Sequence, residues 1–182
     1  MSDEQVIRHC APTLASIKTA NLFGYPFATR QEMLLEVRQL NRRMRNKGLR
    51  VLPLKYQDGR GLIYVYRPAR LSRDLSDAQA CRLLKDCGYQ SADENGCLRR
   101  LIERLRTQED FPHEIGLFLG YPPEDVDGFM HRKDEFKCSG CWKVYGNVDA
   151  AERTFARYRK CTDLYCRLWH EGKSMERLTV AV

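Results

Sequence analysis

At Arg50 the hydrophobic pattern changes from helical spacing to alternation, and this change limits the fold more than any other feature of the chain. Val51, Leu54 and Tyr56 precede the turn sequence Asp58-Gly59-Arg60-Gly61, and Leu62-Ile63-Tyr64-Val65-Tyr66 follow it. β-Branched and aromatic residues on both sides of an Asp-Gly pair predict a β-hairpin, because few residues tolerate the positive φ that so tight a turn demands. A hairpin is not stable alone, so the rest of the chain must cover one of its faces. Pro53 lacks a ladder donor, which makes the first strand an edge or distorts it there.

The flanking sequence supplies helices for that cover. Thr29 and Glu32 form a capping box, Met33, Val37, Leu40 and Met44 make one apolar stripe, and Gly48 ends it. Pro12 reads as a first helical residue followed by Leu14, Ile17, Lys18 and Asn21 at helical spacing, which puts Cys10 at a helix N-terminus. Ser76 with Gln79, and Ser91 with Glu94, open two further helices. Their faces are Ala80, Leu83, Leu84 and Cys87, then Leu98, Leu101, Ile102 and Leu105. Ile115 to Tyr121 is apolar throughout and bounded by Pro112 and Pro122, so it predicts a central strand.

Pro123 starts a short helix to Met130, and Trp142-Lys143-Val144-Tyr145 alternates as a strand. A long last helix begins at Asn147 or Asp149, carries Ala151, Phe155, Tyr158, Thr162, Tyr165 and Trp169 on one face, and stops at Gly172. The tail from Met175 to Val182 adds a short strand or packs back. The expected class is α+β: a single domain over residues 1–182, with a small, mainly antiparallel sheet packed by about five or six helices.

Composition excludes several classes. With 182 residues, 43% hydrophobic and 30% charged, the chain is globular rather than disordered. No apolar run spans a bilayer, and the start lacks a secretory signal, which together predict a cytoplasmic protein with no membrane partner. Eight cysteines in such a chain are read as reduced thiols. The net charge of +7 admits a polyanion. Nucleic acid is nevertheless disfavoured, because the densest basic segment, Arg42 to Arg50, complements a helix C-terminus and no aromatic-rich basic strand accompanies it.

Two constellations carry chemistry. A thiol at a helix N-terminus favours thiolate, and Cys10 with His113 as base forms a candidate dyad, oriented by Glu114 or Asn147. This order of elements is similar to that of papain-like hydrolases, with cysteine at a helix head, histidine at the mouth of a later strand and an orienting residue beyond the next. The papain-type residues around the cysteine are absent, and Pro12 removes one oxyanion donor. His9 is an alternative base, and His9, Lys18 and Asn21 are candidate contacts to a small-molecule or peptide substrate. The bland alternative is a core cysteine, with a histidine that caps a strand. The second constellation, Cys138-Ser139-Gly140-Cys141 with Cys166 and His170 one helical turn apart, makes a formal zinc set. Its bland alternative is loop thiols; no other cofactor is called for.

Four segments also carry a resemblance: His9-Cys10-Ala11-Pro12-Thr13-Leu14, Lys18-Thr19-Ala20-Asn21-Leu22-Phe23, Phe111 to Pro122, and Trp142 to Tyr145. Through them nearly the whole chain resembles a bacterial family, found mainly in anaerobes, built on a domain of unknown function. The resemblance implies a standalone cytoplasmic domain without an established activity. In that family the paired thiols of Cys138 and Cys141 are not typical, which places zinc behind the dyad. Taken together, these readings favour a cysteine-dependent hydrolase or acyl-transfer enzyme, with a noncatalytic binding or regulatory module as the rival.

Overall fold

The computed structural model describes residues 1–90, 93–108 and 110–182. The chain is α+β and gathers into two compact units, Met1–Ala69 with Tyr158–Val182, and Arg70–Arg157.

In the first unit the hairpin forms as its sequence predicts. Strands β2 (Arg50–Gln57) and β3 (Arg60–Tyr66) pair antiparallel, and both Asp58 and Gly59 take positive φ in the turn. The register shifts between Pro53 and Lys55, at the proline that breaks the ladder. A third strand, β1 (Ala20–Pro26), pairs with the other side of β3, giving the order β1-β3-β2. Helix α2 (Arg30–Met44) lays Met33, Val37, Leu40 and Met44 on the core, and Thr29 Oγ1 accepts from Glu32 N at 3.1 Å.

The N-terminal expectation is corrected. Helix α1 runs Asp3–Leu14, capped by Ser2, so Cys10 lies two-thirds of the way along it rather than at its head. Pro12 sits inside the last turn, and Ser16 adopts a φ of 57° that reverses the chain. Lys18 therefore falls in the turn after the helix and Asn21 in β1, where the Asn-Leu-Phe-Gly-Tyr run pairs with β3. A proline can start a helix or occupy its final turn, and helical spacing over ten residues did not distinguish the two. The tail is helical rather than a strand, with α9 (Met175–Leu178) capped by Ser174.

In the second unit α3 (Pro68–Leu75, whose first two residues belong to the first unit), α4 (Ala78–Asp86) and α5 (Glu94–Thr107) follow one another. Asp77 and Asp93 are the caps, one and two residues beyond the expected serines, since an aspartate oxygen accepts from the first-turn amides at least as well. The expected Ser91 cap lies outside the described residues.

The apolar run after Pro112 is also corrected. Ile115–Phe118 is a single helical turn, α6, buried on every side. Gly120, with a φ of 74°, ends it by a bond from Tyr121 N back to Gly116 O of 3.0 Å. A short run of apolar residues fits a buried helical turn and a buried strand equally well, and only pairing partners separate them. Helix α7 (Pro123–His131) starts at Pro123 as expected. The strands β4 (Cys138–Ser139) and β5 (Lys143–Val144) form a small knuckle, and α8 (Val148–His170) begins in this unit and continues into the first. Among the described residues, no helix is long and apolar enough to cross a membrane.

Candidate functional site

The dyad's two members belong to different units. Cys10 is 0% exposed among Val6, Ile7, Ala11 and Leu14 in the first. Burial pushes its thiol far above the usual cysteine range, with the Lys18 charge pulling only weakly the other way. A thiol held neutral in an apolar core is not a nucleophile. His9, the preceding residue of α1, stacks on Phe23 with ring centroids 5.0 Å apart; partial burial, then the Arg8 charge, lowers its pKa. Lys18 is buried, with its ammonium over the Tyr158 ring, and Asn21 Oδ1 accepts from Thr13 Oγ1 at 2.7 Å.

The intended orienters are occupied elsewhere. Glu114 is 2% exposed, forms an ion pair with Arg104 at 2.7 Å and accepts from Tyr89 Oη at 2.9 Å. Burial, and then the Glu114 charge, push the Tyr89 phenol well above its ordinary value, so it stays a donor. Asn147 Oδ1 accepts from Ala150 N at 3.0 Å and caps α8. With Cys10 inside a helix and His113 ahead of another helix, the papain-like order of elements is not realised.

The zinc set is likewise not gathered. Among the described residues, no group of three or more His, Cys, Asp or Glu side chains could hold a metal ion. His170 Nδ1 lies 2.6 Å from Cys166 O, and since a carbonyl only accepts, that nitrogen carries the proton. Cys138 is half-buried in β4 and Cys141 is exposed in the turn.

His113 does border a site, but with other partners. A cavity of about 390 Å³ opens within the second unit, lined with His113 by Phe111, Ile115, Gly116, Tyr121, Asp125, Val126, Phe129, Trp142 and Lys143. Its volume falls at the small end of small-molecule sites. The wall is built from Asp125 outward. This residue is in the first turn of α7, 3% exposed, where free helix amides favour a carboxylate. Its Oδ1 accepts from Tyr145 N at 2.7 Å and Gly146 N at 2.8 Å, and its Oδ2 from Trp142 Nε1 at 2.7 Å. One side chain thus pins the knuckle to α7 and fixes the plane of the indole. Trp142 stacks on Tyr121 with centroids 4.8 Å apart and meets Phe155 edge-on at 4.5 Å.

His113 packs edge-on against Phe129 with centroids 4.9 Å apart, and its ring nitrogens have no hydrogen-bond partner among the described residues. Lys143 donates to Lys133 O at 3.3 Å and places its ammonium 4.4 Å from the Phe136 centroid and 5.8 Å from that of Phe129.

A family model for a protein of unknown function, DUF3793, matches residues 6–179. The chain belongs to this family. No curated protein and no solved structure matches it. The span matched to DUF3793 includes the buried Cys10 and the whole aromatic cavity. Sequence reasoning missed the cavity because Asp125 reads as an ordinary first-turn acid. The signal available was a first-turn aspartate followed, two segments on, by a tryptophan that needs an acceptor when buried.

Proposed function

We propose that this DUF3793 member is a noncatalytic binding module for a small aromatic molecule, held in the cavity of the second unit. The observation that carries the reading is a cavity of about 390 Å³ whose lining includes the aromatic rings of Phe111, Tyr121, Phe129 and Trp142, the last locked in orientation by a buried carboxylate. Fixed aromatic planes recognise a flat ligand with little ordering cost, the usual arrangement of a preformed small-molecule site. Burying about 200 Å² of apolar ligand surface at about 25 cal/mol per Å² contributes about 5 kcal/mol. Association costs at least about 4 kcal/mol, so the polar groups at the mouth set the affinity.

Catalysis has less support. Among the described residues, the one carboxylate lining the cavity is fully engaged and its imidazole has no partner base or nucleophile there, while Cys10 is a core thiol. Ligand-observed NMR with a library of small aromatic fragments tests the proposal. Fragments should bind one per chain, and Phe129→Asp, which puts a charge into the wall, should abolish binding while the circular dichroism spectrum stays unchanged. Either no binding fragment, or equal binding by the folded variant, overturns it.

A further inference from the structure

We infer that the ligand carries an anionic head beside its aromatic ring, and that Lys143 and His113 receive that head; this rests on reading the cavity as a ligand site. The polar groups of the wall sort into two sets. One set is consumed by the protein: both Asp125 oxygens, the Trp142 indole N–H, and the Tyr121 hydroxyl, which donates to Cys141 O at 3.3 Å. The other retains capacity. Among the described residues Lys143 has one hydrogen-bond acceptor, Lys133 O, leaving two of its three N–H donors, and no carboxylate pairs with it. The His113 ring has no hydrogen-bond partner for either nitrogen among the described residues.

What remains for a ligand is therefore donor capacity and positive charge. A neutral aromatic molecule could at most accept from these donors and would leave the charge unanswered. A cationic one would meet the Lys143 ammonium at the mouth, while the opposing Asp125 charge is already spread over three N–H donors. An anion is the one head group that answers both open side chains, and in a partly dehydrated mouth such charge-assisted bonds are about twice as strong as neutral ones. The aromatic ring then lies on the Trp142 and Phe129 side with the head toward solvent.

Titration calorimetry with matched probes separates this inference from the one beneath it. The anions 2-naphthoate and 2-naphthyl phosphate should bind at least about tenfold more tightly than neutral 2-naphthamide, with 2-naphthylmethylammonium weakest. Lys143→Met should bring the anions down to the level of the amide without changing the amide, and Lys143→Arg should keep most of the preference; thermal midpoints confirm folding. Equal affinity of anion and amide, or tightest binding by the ammonium, overturns the anionic head and leaves the aromatic site standing. Failure of all four probes to bind overturns both.

Discussion

Arg67 and Asp125 are deeply buried charges of their respective units, and the protein treats them in opposite ways. Arg67, 2% exposed, spreads its guanidinium over the carbonyls of Thr13, Leu14, Lys47 and Val180, with bonds of 2.7 to 3.0 Å. Those acceptors come from the end of α1, the turn after α2 and the C-terminal tail, segments far apart in sequence. Asp125 draws its three donors from the single short stretch Trp142 to Gly146. The first charge ties distant strands of chain into a closed core. The second organises one local knuckle and forms part of the wall of an open cavity. A buried charge satisfied by hydrogen bonds therefore serves as a cross-link in one region and as a shaper of a binding surface in the other.

The widest contrast is in thiol access. Cys10 in the closed region should react with iodoacetamide at least about a thousandfold more slowly than exposed Cys141, since it is reached only by unfolding. Comparable rates by mass spectrometry would break the distinction between the regions and reopen Cys10 as a reactive group.

Arg67→Met should cost about 3–5 kcal/mol in urea unfolding, because four carbonyls, those of Thr13 and Leu14 fully buried, lose their donor together. Arg67→Lys should recover only part, as one ammonium cannot span them. A loss below about 1 kcal/mol would mean that water substitutes for the guanidinium and that the core is not closed there.

Asp125→Asn should cost about 2–3 kcal/mol, since the new amide turns a donor toward either the indole N–H or the two backbone amides. Trp142 should lose its fixed orientation, read as a shift in emission and as weaker binding of aromatic fragments. Stability lost without any change in binding would make Asp125 structural only.

The smallest effect lies at the surface of the first region, where Arg43 bonds Asp3 and Glu176. The hydrogen bond from Arg43 holds the Glu176 carboxyl below its usual range. A depressed carboxylate contributes stability above its unfolded pKa and loses it as pH falls through the folded value. The advantage of wild type over Glu176→Gln should thus be about 0.3–1 kcal/mol near neutrality, declining once pH falls below the unfolded glutamate value of about 4.3 and gone below the lower folded value. An advantage that survives acid would have to come from packing.

Much of the fold was legible in the order of residues. The Asp-Gly hairpin with its edge proline, the Thr29 cap and stripe of α2, and the faces of α4, α5 and α8 all follow local rules, and all form. Two short stretches misled. Ile115 to Tyr121 has no periodicity long enough to choose between a strand and a helical turn, and Pro12 is as compatible with the last turn of a helix as with the first. Cys10 was consequently placed at a helix head, and the dyad rested on that placement. The candidate site was only partly legible: His113 was singled out and does line the cavity, but its partners there are Phe129, Trp142 and Lys143 rather than a cysteine.

The local code, a few residues wide, decides turns, caps and amphipathic faces, and with them the α+β class, because each depends on backbone sterics or on spacing within one element. It does not decide what a polar side chain meets across the fold. Asp125 looks like many first-turn acids, and Arg67 like a residue after a strand. Their importance arises when segments separated by 17 to 113 positions bring N–H groups to one and carbonyls to the other. That assembly, driven by the burial of apolar faces around them, turned a histidine expected to serve a cysteine into one edge of an aromatic cavity.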